Sequence, residues 1–135
     1  MYVTRAEIET EIPGPTLIEA LDDDRDGAED EGLFNALVAS ASQTVDAFLS
    51  ARYYVPFVAP EPPGAREAAF AFLGEKVYAR RQVTEKNPFT ARANVWRERL
   101  AAISKGQANL EASTNSVASF GAAITSNSAL EGGSR

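Results

Sequence analysis

Aspartates at alternate positions are the first residues in this sequence whose spacing suggests chemistry. Asp22, Asp24, Asp26 and Gly27 spell D-x-D-x-D-G, and Asp30 stands at the ninth position of the same run. Carboxylate oxygens at alternate residues can converge on one calcium ion, and a glycine permits the turn between them. The twelfth position is Leu33, where an EF-hand carries a bidentate Glu. The ligand set is therefore incomplete. The competing reading is a solvated acidic loop ahead of a helix N-terminus, where negative charge is favoured. The same carboxylates make no acid–base pair on sequence grounds, because a hydrophilic, exposed segment offers nothing to raise one pKa.

Other routes to catalysis close quickly. The 135 residues include no cysteine and no histidine. Disulfides, zinc–thiolate sites and thiol nucleophiles are excluded, and so is the commonest general base. Serines are plentiful, but no imidazole can activate one, and no glycine-rich phosphate loop follows a strand. No enzymatic activity, cofactor or resident metal is expected. Arg80, Arg81, Arg92, Arg97 and Arg99 form basic spots, yet a chain of net charge −6 lacks the footprint of a nucleic-acid binder. No apolar run approaches the ~20 residues of a membrane helix, and no signal-peptide pattern opens the chain. Binding or assembly is the remaining class.

The elements that must position these residues read as helices. Thr4 and Glu7 fit a capping box, followed by Ile8 and Ile12 one turn apart. Pro13-Gly14-Pro15 stops that helix, and Pro15 starts a second short one through Leu21. Residues 32–53 carry Phe34, Leu37, Val38, Ala41, Val45, Phe48 and Leu49 at helical steps. Arg52 falls in the last turn, where a cation suits the helix dipole. Residues 54–63, rich in proline, form a stiff loop. A helix from Gly64 to Arg81 is apolar on several sides through Ala68, Ala69, Phe70, Phe72, Leu73 and Val77. Such a helix is central in a bundle or packs on another subunit as well. Gly74 within it allows close approach of a neighbour. Asn87-Pro88 caps a last helix that carries Trp96, Leu100 and Ile103 and ends at Gly106. The expectation is an all-α bundle of two short and three longer helices over residues 1–110.

Composition changes after Leu110. Residues 111–135 are dominated by Ser, Ala, Asn, Gly and Thr, with Val117, Phe120, Ile124 and Leu130 as sparse apolar anchors. Alone, this segment buries too little to offset its ordering entropy, so it reads as an extended arm that orders on a partner, by adding a strand to an exposed edge for example. Charge is also segregated. Residues 1–32 carry a net −9, residues 33–110 a net +4, and residues 111–135 a net −1. Pairing between unlike faces of adjacent subunits is one consequence, and a soluble surface with clustered acids is the other.

Residues 41–57 read Ala-Ser-Gln-Thr-Val-Asp-Ala-Phe-Leu-Ser-Ala-Arg-Tyr-Tyr-Val-Pro-Phe. This stretch, with Val45, Asp46, Phe48, Leu49, Arg52, Tyr53 and Pro56 as its signature, resembles tailed-phage head–tail connector proteins of the Mu-like connector family. The opening Met1-Tyr2-Val3-Thr4, the acidic loop from Leu21 to Gly27 and the ending Leu100 to Gly106 with Leu110 are similar too. The resemblance covers residues 1–110 and leaves the arm outside. Where members often carry an Asp in the middle helix, this chain reads Phe70-Ala71-Phe72-Leu73-Gly74-Glu75.

The resemblance implies a virion protein of the neck, present in the host cytoplasm during assembly. Such an adaptor forms a ring, commonly of twelve copies, between the portal protein and a neck stopper or tail-terminator protein. DNA passes through the ring without specific binding. The arm residues Val117, Phe120, Ile124 and Leu130 would then contact portal or neck. The alternative is a small helical interaction or regulatory protein outside the virion.

Overall fold

The computed structural model describes residues 1–81 and 86–110. Val117, Phe120, Ile124 and Leu130 lie outside the described residues. Within them the chain forms five helices and no strand: α1 (Arg5–Glu9), α2 (Gly14–Leu21), α3 (Leu33–Leu49), α4 (Pro63–Arg80) and α5 (Thr90–Ser104). The protein is an all-α bundle of two short and three longer helices.

Local chemistry sets the helix ends. The Thr4 hydroxyl accepts from the Glu7 amide and the Glu7 carboxylate accepts from the Thr4 amide, so the capping box is closed on both sides. Pro13 caps α2, and Pro15 occupies its second position. Beyond α5, Gly106 takes φ 80°, and its amide donates to Ile103 while that of Gln107 donates to Ala102. That pair of bonds is a Schellman motif, which needs the left-handed residue that glycine supplies without strain. Helix α3 ends at Leu49 rather than Tyr53. Arg52 therefore lies outside α3 and serves a different helix, as described below. Asn87 does not cap α5, which begins at Thr90 with Phe89 in the cap position; the Asn87 side chain instead accepts from the Phe89 amide and donates to the Glu75 carbonyl, tying the start of α5 to α4.

The core sits around α4, which packs on α2, α3 and α5. Ala65, Ala68, Ala69, Ala71, Phe72, Leu73, Gly74 and Val77 are all buried, although they cover more than one side of the helix. Small residues let three neighbours approach, and Val38, Val45, Leu49, Leu100 and Trp96 fill the space between them. Each large side chain buried here contributes about 1.5–3 kcal/mol of transfer free energy. Gly74 receives not a helix backbone but the Phe89 ring; a Cβ built there would lie within 2.6 Å of three ring carbons. The apolar faces of α4 are thus consumed inside one chain.

The segregated charges are consumed in the same way. Arg66 pairs with Glu7, Arg80 with Asp23, Arg81 with Glu19, and Arg92 with Glu11. Arg5 bridges Glu9 and Glu29. The acidic N-terminal third meets the basic middle within the molecule, where the sequence had also allowed a meeting between subunits. Glu29 and Glu11 are held below their ordinary value of 4.5 by the guanidinium groups of Arg5 and Arg92.

Candidate assembly site

The signature residues of the α3–α4 connection converge on both ends of the domain. Tyr2 is buried, with its ring 6.1 Å from that of Phe57, and Phe57 lies 6.2 Å from the Tyr53 ring. The Tyr2 hydroxyl donates to Asp46 Oδ1 at 2.5 Å and accepts from the Phe57 amide at 2.9 Å. The Tyr2 amide donates to the buried Ser42 hydroxyl at 3.2 Å. The start of the chain is therefore pinned to α3 and to the loop after it. Burial, together with the bond to Asp46, pushes the Tyr2 phenol well above its ordinary range. Burial likewise raises the Asp46 carboxyl above 3.8, against the lowering effect of the Tyr2 hydroxyl and the N-terminal amine.

The other end is held one step along the same loop. The Tyr53 hydroxyl accepts from the Leu110 amide at 3.0 Å in a buried setting. Arg52 reaches over α5 and donates to the carbonyls of Ile103 at 3.0 Å and Ala108 at 2.8 Å, and to Asn109 Oδ1 at 3.1 Å. Its cation thus complements the C-terminal dipole of α5, not that of its own helix. Leu110 is buried against Gly64 and Trp96, where a Cβ on Gly64 would meet Leu110 Cδ1 at 2.8 Å. Val45 and Leu49 are fully buried beneath the connection, Phe48 packs partly against the core, and the exposed Pro56 shapes the loop between Tyr53 and Phe57. The signature is a clasp. Asp46 secures the N-terminus, and Arg52 with Tyr53 fixes the point from which residues 111–135 depart.

Sequence reasoning singled out Asp46, Arg52 and Tyr53 but not their partners. Tyr2 stood in the resembling opening without a role, and Leu110 only as a terminus. Neither contact has a short-range signal, since each joins residues more than forty positions apart.

The acidic loop is arranged more tightly than a solvated run of like charges. Oxygens of Asp22, Asp24 and Asp30 lie within 4.8 Å of one another, whereas Asp26 is not part of that group. Asp26 instead accepts from the Ala28 amide at 2.9 Å. Asp22 accepts from the amides of Asp26 at 3.1 Å and Gly27 at 2.8 Å, and Asp30 accepts from that of Asp23 at 3.1 Å. The bond to Asp22 pushes the Asp24 carboxyl above 3.8. Asp22 goes the other way: its desolvation is outweighed by the Gly27 amide, the Asp24 side chain and the amides of Asp26 and Arg25. The sequence had left nothing to raise a carboxyl here; proximity within the turn does so. Of the four calcium candidates, three converge and Asp26 does not. Leu33, at the twelfth position, opens α3.

No helix among the described residues is long and apolar enough to cross a membrane. No curated protein matches the chain. The profile of a phage family, described as bacteriophage Mu, Gp36, matches residues 2–125. The match spans the clasp and all five helices, and it continues past Leu110 through Val117, Phe120 and Ile124. The arm's first part is thus inside the family's extent, where the resemblance alone had stopped at 110. By that match, which covers nearly all of its length, this chain belongs to the bacteriophage Mu Gp36 family.

Proposed function

We propose that the protein is a head–tail connector of the virion, a structural adaptor without enzymatic activity that forms a ring, of twelve copies, between the portal protein and a neck stopper or tail-terminator protein. The family match over residues 2–125 carries this reading. The clasp supports it physically. A connector must present an arm from a fixed point, and Arg52, Tyr53 and Gly64 hold the arm's root at Leu110. Val117, Phe120, Ile124 and Leu130 then engage portal or neck.

The charge distribution suits a channel that DNA traverses without binding. Six of the nine arginines among the described residues are paired with acids of the same chain. Those six, half of the twelve Lys and Arg among the described residues, are already neutralised, and neutralising contacts are what hold DNA. The internal use of apolar faces and charges also fits a protein that is monomeric until a portal templates the ring. Mass measurement on the full chain, alone and with its cognate portal, tests this: a small species alone and a portal-bound ring together are expected. An unchanged monomer with saturating portal refutes it. A chain truncated after Leu110 keeps its helical core and loses portal docking; full-strength docking by the truncated form removes the arm's role.

A further inference from the structure

We infer that the groove between α1, the start of α4 and α5 is a docking site for a protein segment bearing one large apolar side chain flanked by Lys or Arg. The groove has a volume of about 380 Å³, the lower end of the range for ligand sites. Its apolar surface comes from the exposed Pro63 and the half-buried Phe70, with the buried Tyr2 beneath them. Four glutamates line it: Glu7, Glu11, Glu61 and Glu67.

Their states differ. Glu7 is neutralised by Arg66, and Glu11 is gripped by both terminal nitrogens of Arg92. Arg92 also lies over the Phe70 ring at 5.1 Å, so it is occupied on two sides. Glu61 and Glu67 make no ion pair and no hydrogen bond through their side chains among the described residues, and Glu61 is only partly exposed. The groove therefore keeps two carboxylates without cations beside an apolar floor. Charge complementarity selects a cationic occupant with an apolar anchor. The chain's own arm does not meet that description, because residues 111–135 offer one cation, Arg135, against Glu111 and Glu131. The occupant is a different protein, and the site stands whether or not the chain forms a ring.

The test is amide chemical-shift mapping on the full-length, isotope-labelled protein. The probe is acetyl-Lys-Leu-Phe-Lys-amide, with acetyl-Glu-Leu-Phe-Glu-amide and acetyl-Lys-Ala-Ala-Lys-amide as comparisons. Shifts confined to Thr10, Glu61, Glu67 and Phe70 are expected for the first peptide. Its affinity should exceed that of the acidic peptide by about tenfold, and salt should weaken it. The double variant E61K/E67K should reverse the preference; neither side chain makes a structural bond, and retained helical circular dichroism verifies its fold. Equal binding of the three peptides, shifts elsewhere on the surface, or salt-independent binding to the unmutated protein would overturn the proposal. So would shifts at these residues on raising protein concentration without peptide, which would assign the groove to a second copy.

Discussion

Replacing Tyr53 with Phe removes one oxygen atom and isolates the contribution of the clasp at the arm's root. The Tyr53 hydroxyl is the acceptor for the Leu110 amide at 3.0 Å, in a buried setting. Phe keeps the ring and its packing on Phe57. What is lost is the partner of a buried N–H, and stranding such a group costs about 1–3 kcal/mol. In a domain of this size each kcal/mol lowers Tm by roughly 4–8 °C. Opening at Leu110 should become easier by about five- to 150-fold, since 1.4 kcal/mol is a factor of ten. Hydrogen exchange read at the Leu110 amide reports that local opening directly, and a thermal melt reports the global part. Tyr54→Phe is the control, because Tyr54 is 68% exposed. It should leave both readings unchanged. If Y53F leaves Leu110 exchange at its original rate, the hydroxyl does not hold the arm's root and the clasp argument fails.

Four further outcomes follow from the same contacts. Gly74→Ala gains about 1 kcal/mol of helix propensity but drives a methyl into the buried Phe89 ring, a clash worth about 1–3 kcal/mol. Net destabilisation in a urea titration is expected, and a more stable variant would show that the ring yields freely. Arg52→Gln removes a cation from the end of α5, so exchange at Ala108 to Leu110 should quicken while that of α3 stays unchanged. Stability should fall with pH below about 4.5, because Glu29 and Glu11 have depressed carboxyls whose contribution is present above that value and is lost as they protonate. The R5Q/R92Q variant should flatten that fall, and an unchanged acid slope would deny these pairs a role. Asp46 works in the opposite sense, its carboxyl being raised; Asp46→Asn should therefore improve relative stability as pH rises above 3.8, provided circular dichroism shows Tyr2 still seated.

What could be read in advance was local. The Thr4–Glu7 box and the glycine after α5 each depend on neighbours within a few positions, and both stand as read, whereas α1 already ends at Glu9, ahead of the expected stop at Pro13. The central place of α4 was legible as one of two readings, since apolar residues on several sides of one helix can also pack on another subunit, and the folded chain buries them internally. Arg52 was assigned to the wrong dipole because α3 stops at Leu49, and only the folded chain brings α5 within its reach. Charge segregation was legible as a number but not as a pairing. Arg66, Arg80, Arg81 and Arg92 find acids about sixty to eighty positions away, inside the chain. The clasp was half visible: Asp46, Arg52 and Tyr53 carried a pattern, while Tyr2 and Leu110 act through distance in space alone.

The proposed role is that of a collar in the neck of a phage particle. Electron microscopy of the full-length chain mixed with its cognate portal tests that most directly. A closed ring of this protein, coaxial with the portal and with an open channel, is the predicted image. Portal particles without added density at saturating protein, or density attached off the axis, would contradict it.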